Sequence, residues 1–275
     1  MTTRPLRSTV IACLLIVASA SLAFAHDLFL KPDAFFVAPN GTVAVTALNG
    51  TFSTSEGSVT RDRLIDIAIA GPAGRTKADT STWSEKGKAS HWKAKVGAAG
   101  TYTLGASLKP RIIALAAKDF NAYLADDGLP DILAARRKDG ELAKPSRERY
   151  SKHVKALVQV GDAHSASYGI VLGYPAEIVP LSNPYETGKG TLRIKALVDG
   201  KPMADQVVIA GGRTPAGARL KEQSVRTDAQ GIASIALNAN GTWYVKFIRM
   251  VRIPVSAKDS VDYESKWATM TFAIR

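Results

Sequence analysis

His26 and Asp27, directly after Ala23-Phe24-Ala25, are the residues of this chain best placed for metal chemistry. Arg4 and Arg7, an apolar run from Val10 to Leu22 and an A-x-A triplet together have the pattern of a secretory leader and its cleavage site. Cleavage at Ala25 leaves His26 as the first residue of the exported chain. A terminal histidine offers its α-amine and its imidazole to one ion as a chelate once both are deprotonated, which no internal histidine can do. Asp27 and Asp33 add oxygen donors close by. Nickel, cobalt and copper all accept such nitrogen donors, with copper ahead on intrinsic affinity.

Three further histidines are candidate partners for His26. His91 adjoins Trp92 on an expected strand, so it points to the opposite face and out of the core, and it is the first choice of second ligand. His164 lies in the loop Gly161-Asp162-Ala163-His164-Ser165 and is accessible. His153 shares a helical stripe with Tyr150, Val154 and Leu157 and reads as a satisfied packing residue. The expected metal set is therefore His26, Asp27, His91 and His164, holding a divalent transition ion. No pair has H-x-H, H-x-x-x-H or H-E-x-x-H spacing.

Catalytic constellations are absent from the sequence. It has no G-x-S-x-G and no glycine-rich phosphate loop. Its only cysteine, Cys13, lies in the leader, which removes disulfides and thiolate ligands. Asp126, Asp127 and Asp131 fit a solvated helix terminus. Glu264, between Tyr263 and Trp267, reads as a buried polar anchor. The chain is expected not to be an enzyme. An oxidative copper enzyme with a terminal histidine shares one feature with it and nothing more.

With 275 residues, 46% hydrophobic and 22% charged, the chain is an ordinary globular protein rather than a disordered one. The leader has no Asp or Glu, so losing Arg4 and Arg7 lowers the formal charge from +12 to +10. That balance favours anionic partners such as an envelope polymer. Nucleic acid is excluded as a partner, because the basic residues lack the interleaved aromatics that stack on bases. The leader is too short to stay in a bilayer, so the cleaved protein is not membrane-spanning.

Hydrophobic periodicity divides the mature chain into three zones. Over residues 26–113 it alternates, as in Val43, Val45, Ala47 and Ile65, Ile67, Ile69, with turns at Asn40-Gly41 and Gly71 to Gly74. Over 114–164 it becomes helical: Phe120, Tyr123 and Leu124 share one face, Pro130 opens a second helix, and Tyr150, Val154, Leu157 and Val158 share another face. Over 165–275 alternation returns in Leu192, Ile194, Ala196 and in Trp243, Val245, Phe247. The expected fold is mainly β, with two immunoglobulin-like or prealbumin-like β-sandwich domains and a helical insert between them, the insert packing on one or both sheets. The run Asp199 to Ala204 and the turn Thr227-Asp228-Ala229-Gln230-Gly231 are the features that resemble a prealbumin-like module.

Several separated motifs, in order, resemble the DUF4198 family. They are His26-Asp27-Leu28-Phe29-Leu30-Lys31-Pro32, Phe120-Asn121-Ala122-Tyr123-Leu124, Arg147 to Lys152, Lys155 to Gly161, Asn183-Pro184-Tyr185 and Tyr263 to Phe272. The family is often labelled a periplasmic component of nickel or cobalt uptake. The resemblance thus implies a periplasmic accessory protein that binds nickel or cobalt through His26 and hands it to a membrane metal transporter. It also implies a histidine in the strand after Trp243-Tyr244-Val245-Lys246, where this chain has Arg249. The competing expectation is a non-catalytic envelope module with no metal site.

Overall fold

The computed structural model describes residues 26–254 and 261–275, so the expected leader over 1–25 lies outside the described residues. The first zone supplies β1 (Asp27–Pro32), β2 (Phe36–Val37), β3 (Thr42–Gly50), β4 (Ser55–Gly57), β5 (Leu64–Gly71) and β6 (Gly74–Lys77). It continues through β7 (Ser84–Lys86), β8 (Ala89–Lys95), β9 (Gly100–Leu108) and β10 (Arg111–Leu115). The middle zone holds α1 (Ala117–Asp126), α2 (Pro130–Lys138) and the long strand β11 (Ser146–Val160). Then come β12 (Ala176–Pro180), the short α3 (Pro184–Thr187), β13 (Gly190–Val198), β14 (Lys201–Pro202) and β15 (Val207–Arg213). The last strands are β16 (Arg219–Arg226), β17 (Ile232–Leu237), β18 (Gly241–Arg252) and β19 (Tyr263–Ile274).

These strands form three sheets. A ten-stranded sheet runs β16-β15-β18-β19-β11-β9-β5-β6, with β2 and β10 also on β11. A five-stranded sheet of β1, β3, β4, β7 and β8 and a four-stranded sheet of β12, β13, β14 and β17 complete the fold. The five-stranded sheet encloses one core with β5, β9 and β11, through Leu28, Val45, Trp92, Leu104, Val154 and Val158. The four-stranded sheet encloses another with β15, β18 and β19, through Ile178, Ile194, Ile235, Trp243, Val245 and Met270. The architecture is therefore mainly β, with two sandwich cores.

β11 corrects the expected 114–164 helical insert, because only its first half is helical. Residues 151–160 are all buried, since β11 lies mid-sheet between β19 and β9 with a core on each face. Val154, Ala156, Val158 and Val160 enter one core and Leu157 enters the other. A strand covered on both faces has no polar phase, so any period can be read into its apolar run. The division at 113/114 falls inside β10 and that at 164/165 in the loop after β11, while one continuous sheet joins β5 and β9 of the first zone to β18 and β19 of the third through β11.

α1 and α2 do pack on a sheet, as expected. Phe120, Tyr123, Leu124 and Leu129 cover Ile248, Met250, Tyr263 and Trp267, and Tyr123 stacks on Trp267 with ring centroids 5.6 Å apart. β1 is tied to the long sheet as well, because Thr269 and Thr271 donate their hydroxyls to the carbonyls of Leu28 and Leu30. No helix among the described residues is long and apolar enough to cross a membrane.

Candidate functional site

Pairing of β1 with β3 sets Asp27 opposite Gly50, and the turn after β3 carries β4 with Glu56 back towards His26. His26 Nε2 lies 3.0 Å from Glu56 Oε2. The carbonyl of His26 accepts from Lys152 Nζ, which also donates to Asn49 Oδ1 at 2.8 Å. Burial lowers the His26 pKa, against the opposing pull of Glu56, so the imidazole favours its neutral form.

Next to His26, Lys246 of β18 joins two carboxylates, at 2.6 Å from Asp27 Oδ2 and 2.7 Å from Asp127 Oδ1. Burial opposes the charge on Lys246, yet the two carboxylates outweigh it and hold its pKa well above the usual lysine range. Burial pushes Asp127 up to about 6, despite Lys246. Lys152 is fully enclosed, and burial pulls it down to about 8 although Asp27 favours its charge. Asp27 Oδ1 is buried with no hydrogen-bond partner among the described residues. An orphan acceptor of this kind is costly unless something positive meets it.

His26, Asp27, Glu56, Asp127 and Lys246 edge a cavity of about 590 Å³. Phe29, Phe52 and Tyr244 form an aromatic cluster on it, with centroids 5.0–5.3 Å apart. Tyr244 donates to Glu222, and Arg213 and Arg219 stand on its rim.

The other predicted ligands lie elsewhere. His91 is on β8 opposite Thr46, whose β1 partner is Lys31, and its Nδ1 lies 3.4 Å from Thr46 Oγ1. His164 contacts Gln159 at 3.1 Å in a separate cavity lined by Phe36 and Arg275. Neither lines the cavity of His26, so only His26 and Asp27 of the predicted set come together. Asp33 is exposed at the far end of β1. Among the described residues, no three His, Cys, Asp or Glu side chains form a group that would hold a metal.

His153 is a satisfied core residue, but on a strand, between Ser107 at 2.9 Å and Ser151 at 3.0 Å. Glu264 is half-buried and paired with Arg149 at 2.7 Å rather than being a buried anchor. That role belongs to Glu148, which accepts from Tyr123 and Ser265. Asp127 is not a solvated helix end, because Lys246 draws it inward. Arg249 is exposed and does not line the His26 cavity. Glu56, Lys152 and Lys246 carried no sequence signal, since each is an isolated charge whose partner is distant in the chain.

A family model described as "Domain of unknown function (DUF4198)" matches residues 23–250. The chain belongs to this family. The match takes in the whole of the His26 cavity and stops before the closing motif of this DUF4198 protein on β19. No curated protein matches it. Among solved structures, a tetra-tandem repeat from the extending region of a large adhesion protein is 12% identical, with TM-score 0.24. That similarity covers 91% of the DUF4198 chain and 49% of the repeat structure, so the chain spans about half its length. A two-domain fibronectin type-III segment from chicken tenascin is 10% identical, with TM-score 0.19, covering 88% of this chain and 97% of that one.

Proposed function

We propose that this protein is an exported, periplasmic metal-binding accessory of a membrane transporter, taking a divalent ion, nickel or cobalt, at His26 once cleavage has freed its α-amine. The observation that carries this reading is the 3.0 Å contact between His26 Nε2 and Glu56 Oε2. A ligating histidine commonly gives its second ring nitrogen to a carboxylate, which fixes the tautomer and strengthens the donor. With Nε2 on Glu56, Nδ1 is free to close a chelate with the α-amine.

The surroundings fit a cation at that point. The lowered His26 pKa favours the neutral imidazole that a metal needs, and the orphan Asp27 Oδ1 is an oxygen donor beside it. Lys152 holds the His26 carbonyl and Lys246 holds the other Asp27 oxygen, so the backbone that carries the donors is pre-positioned. The metal is cargo, to be released to the transporter.

The test is calorimetric titration of Ni²⁺, Co²⁺ and Cu²⁺ into protein whose terminus at His26 is verified by mass, against the same chain with one residue added before His26. The expected result is one-to-one binding in the submicromolar range, lost in the extended chain. Equal binding in both chains overturns the chelate, and absent binding in both leaves a non-catalytic envelope module as the account.

A further inference from the structure

The cavity beside His26 is far larger than the ion it is proposed to receive. A divalent ion with six waters, at about 30 Å³ for each water, fills ~180 Å³. The cavity is about 590 Å³, a size that suits an organic ligand, for which roughly 300–1,000 Å³ is usual.

Its lining is mixed: Asp27, Glu56, Asp127 and Glu222 are engaged by Lys246, His26 and Tyr244, and Arg213 and Arg219 offer an organic anion its contacts. Arg213 and Arg219 stand on the rim and Lys246 lines the interior. Arg213 is held in place by Ser53 Oγ and by the carbonyl of Gly217 at 2.7 Å. Arg219, on the edge strand β16, is exposed and has no ion pair among the described residues. Guanidinium groups repel a bare dication but bind carboxylates through paired, planar hydrogen bonds. Phe29 and Phe52, packed edge to face at 5.3 Å, supply an apolar wall for a carbon skeleton. The protein itself brings few donors, with no three-residue metal group among the described residues, so most of the coordination sphere must come from the cargo.

We infer that the cavity takes its metal as a complex with a small organic polycarboxylate. The complex sits with its metal at His26 and a free carboxylate on Arg213 and Arg219. This inference rests on the metal reading of His26, and it adds the chemical class of the cargo.

Native mass spectrometry and calorimetry with Ni²⁺, citrate and their one-to-one mixture test it. The expected result is a ternary mass of protein, nickel and citrate, with the mixture binding at least tenfold more tightly than nickel alone. Arg219→Ala, and the double variant Arg213→Ala with Arg219→Ala, should lose that gain while keeping the nickel-only complex. Because both arginines are on the rim, unchanged thermal melting identifies folded variants, and Arg219→Ala serves alone if the double variant unfolds. Nickel bound without citrate at every concentration overturns the inference, as does citrate bound equally well without nickel, or a ternary complex insensitive to Arg219→Ala. Failure of the metal reading itself looks different, because nickel then binds neither with citrate nor without it.

Discussion

Asp127, just past the end of α1, and Lys246, in the middle of β18, stand 2.7 Å apart and join the helical segment to the long sheet beside His26. The same ammonium holds Asp27, so one lysine ties three elements together. Replacing it by Lys246→Met leaves two carboxylates in a largely buried place without their counter-charge. Removing one partner of a buried ion pair costs about 3–5 kcal/mol. Urea unfolding of the variant should show a loss of that order, and a loss below about 1 kcal/mol would mean that the network is open to water.

Asp127 itself has a pH signature. Its pKa is raised to about 6 by burial, so the folded state holds a proton that the unfolded chain has already released. Its contribution to stability is full below the ordinary carboxylate range and is lost as pH rises through about 6. Unfolding free energies measured between pH 4 and 7 should show this decline, and Asp127→Asn should remove it.

Lys152 has the opposite sense. Burial brings its pKa down to about 8, so between about 8 and the ordinary lysine value the unfolded chain binds more protons than the folded one. Its contribution is present at high pH and lost as pH falls through about 8, with a slope of at most ~1.4 kcal/mol per pH unit. Lys152→Met should flatten the stability profile in this window, measured by denaturant titration at constant ionic strength.

His153 should stay neutral through ordinary acidification. Desolvation lowers its pKa to about 3, between Ser107 and Ser151. An NMR titration that follows its ring carbon should be flat from pH 8 to about 4. A midpoint near 6 would show that water reaches this part of β11.

Glu56→Gln should weaken metal binding about 10–100-fold, the usual cost of losing the carboxylate behind a ligating histidine, without altering thermal melting of the metal-free protein. Calorimetry on the verified terminus reads the first quantity and a melting curve the second.

The two sandwiches should unfold together. β11 pairs with β19 over Glu148 to Ala156 and with β9 over Leu157 to Val160, so neither half keeps its sheet without the other. Calorimetric and van't Hoff enthalpies should therefore agree for a single transition, and two resolved transitions would contradict the shared sheet.

Much of this was legible in the chain. Alternation at Val43, Val45 and Ala47 and at Trp243, Val245 and Phe247 marks strands, because a sheet with one covered face writes its period directly into the sequence. Phe120, Tyr123 and Leu124 mark α1 in the same way, and Asp228 and Gly231 mark the turn in which Asp228 Oδ1 accepts from the amides of Gln230 and Ile232. The A-x-A triplet picks out His26. Only tertiary structure decided that Ser146 to Val160 is a strand, since a segment with a core on each face carries no polar phase to read. It alone brought Glu56, Asp127, Lys152 and Lys246 around that histidine and separated His91 and His164 from it. Each of those contacts links residues far apart in sequence, where ionic pairing leaves no local pattern and only the packing of sheets sets the distance.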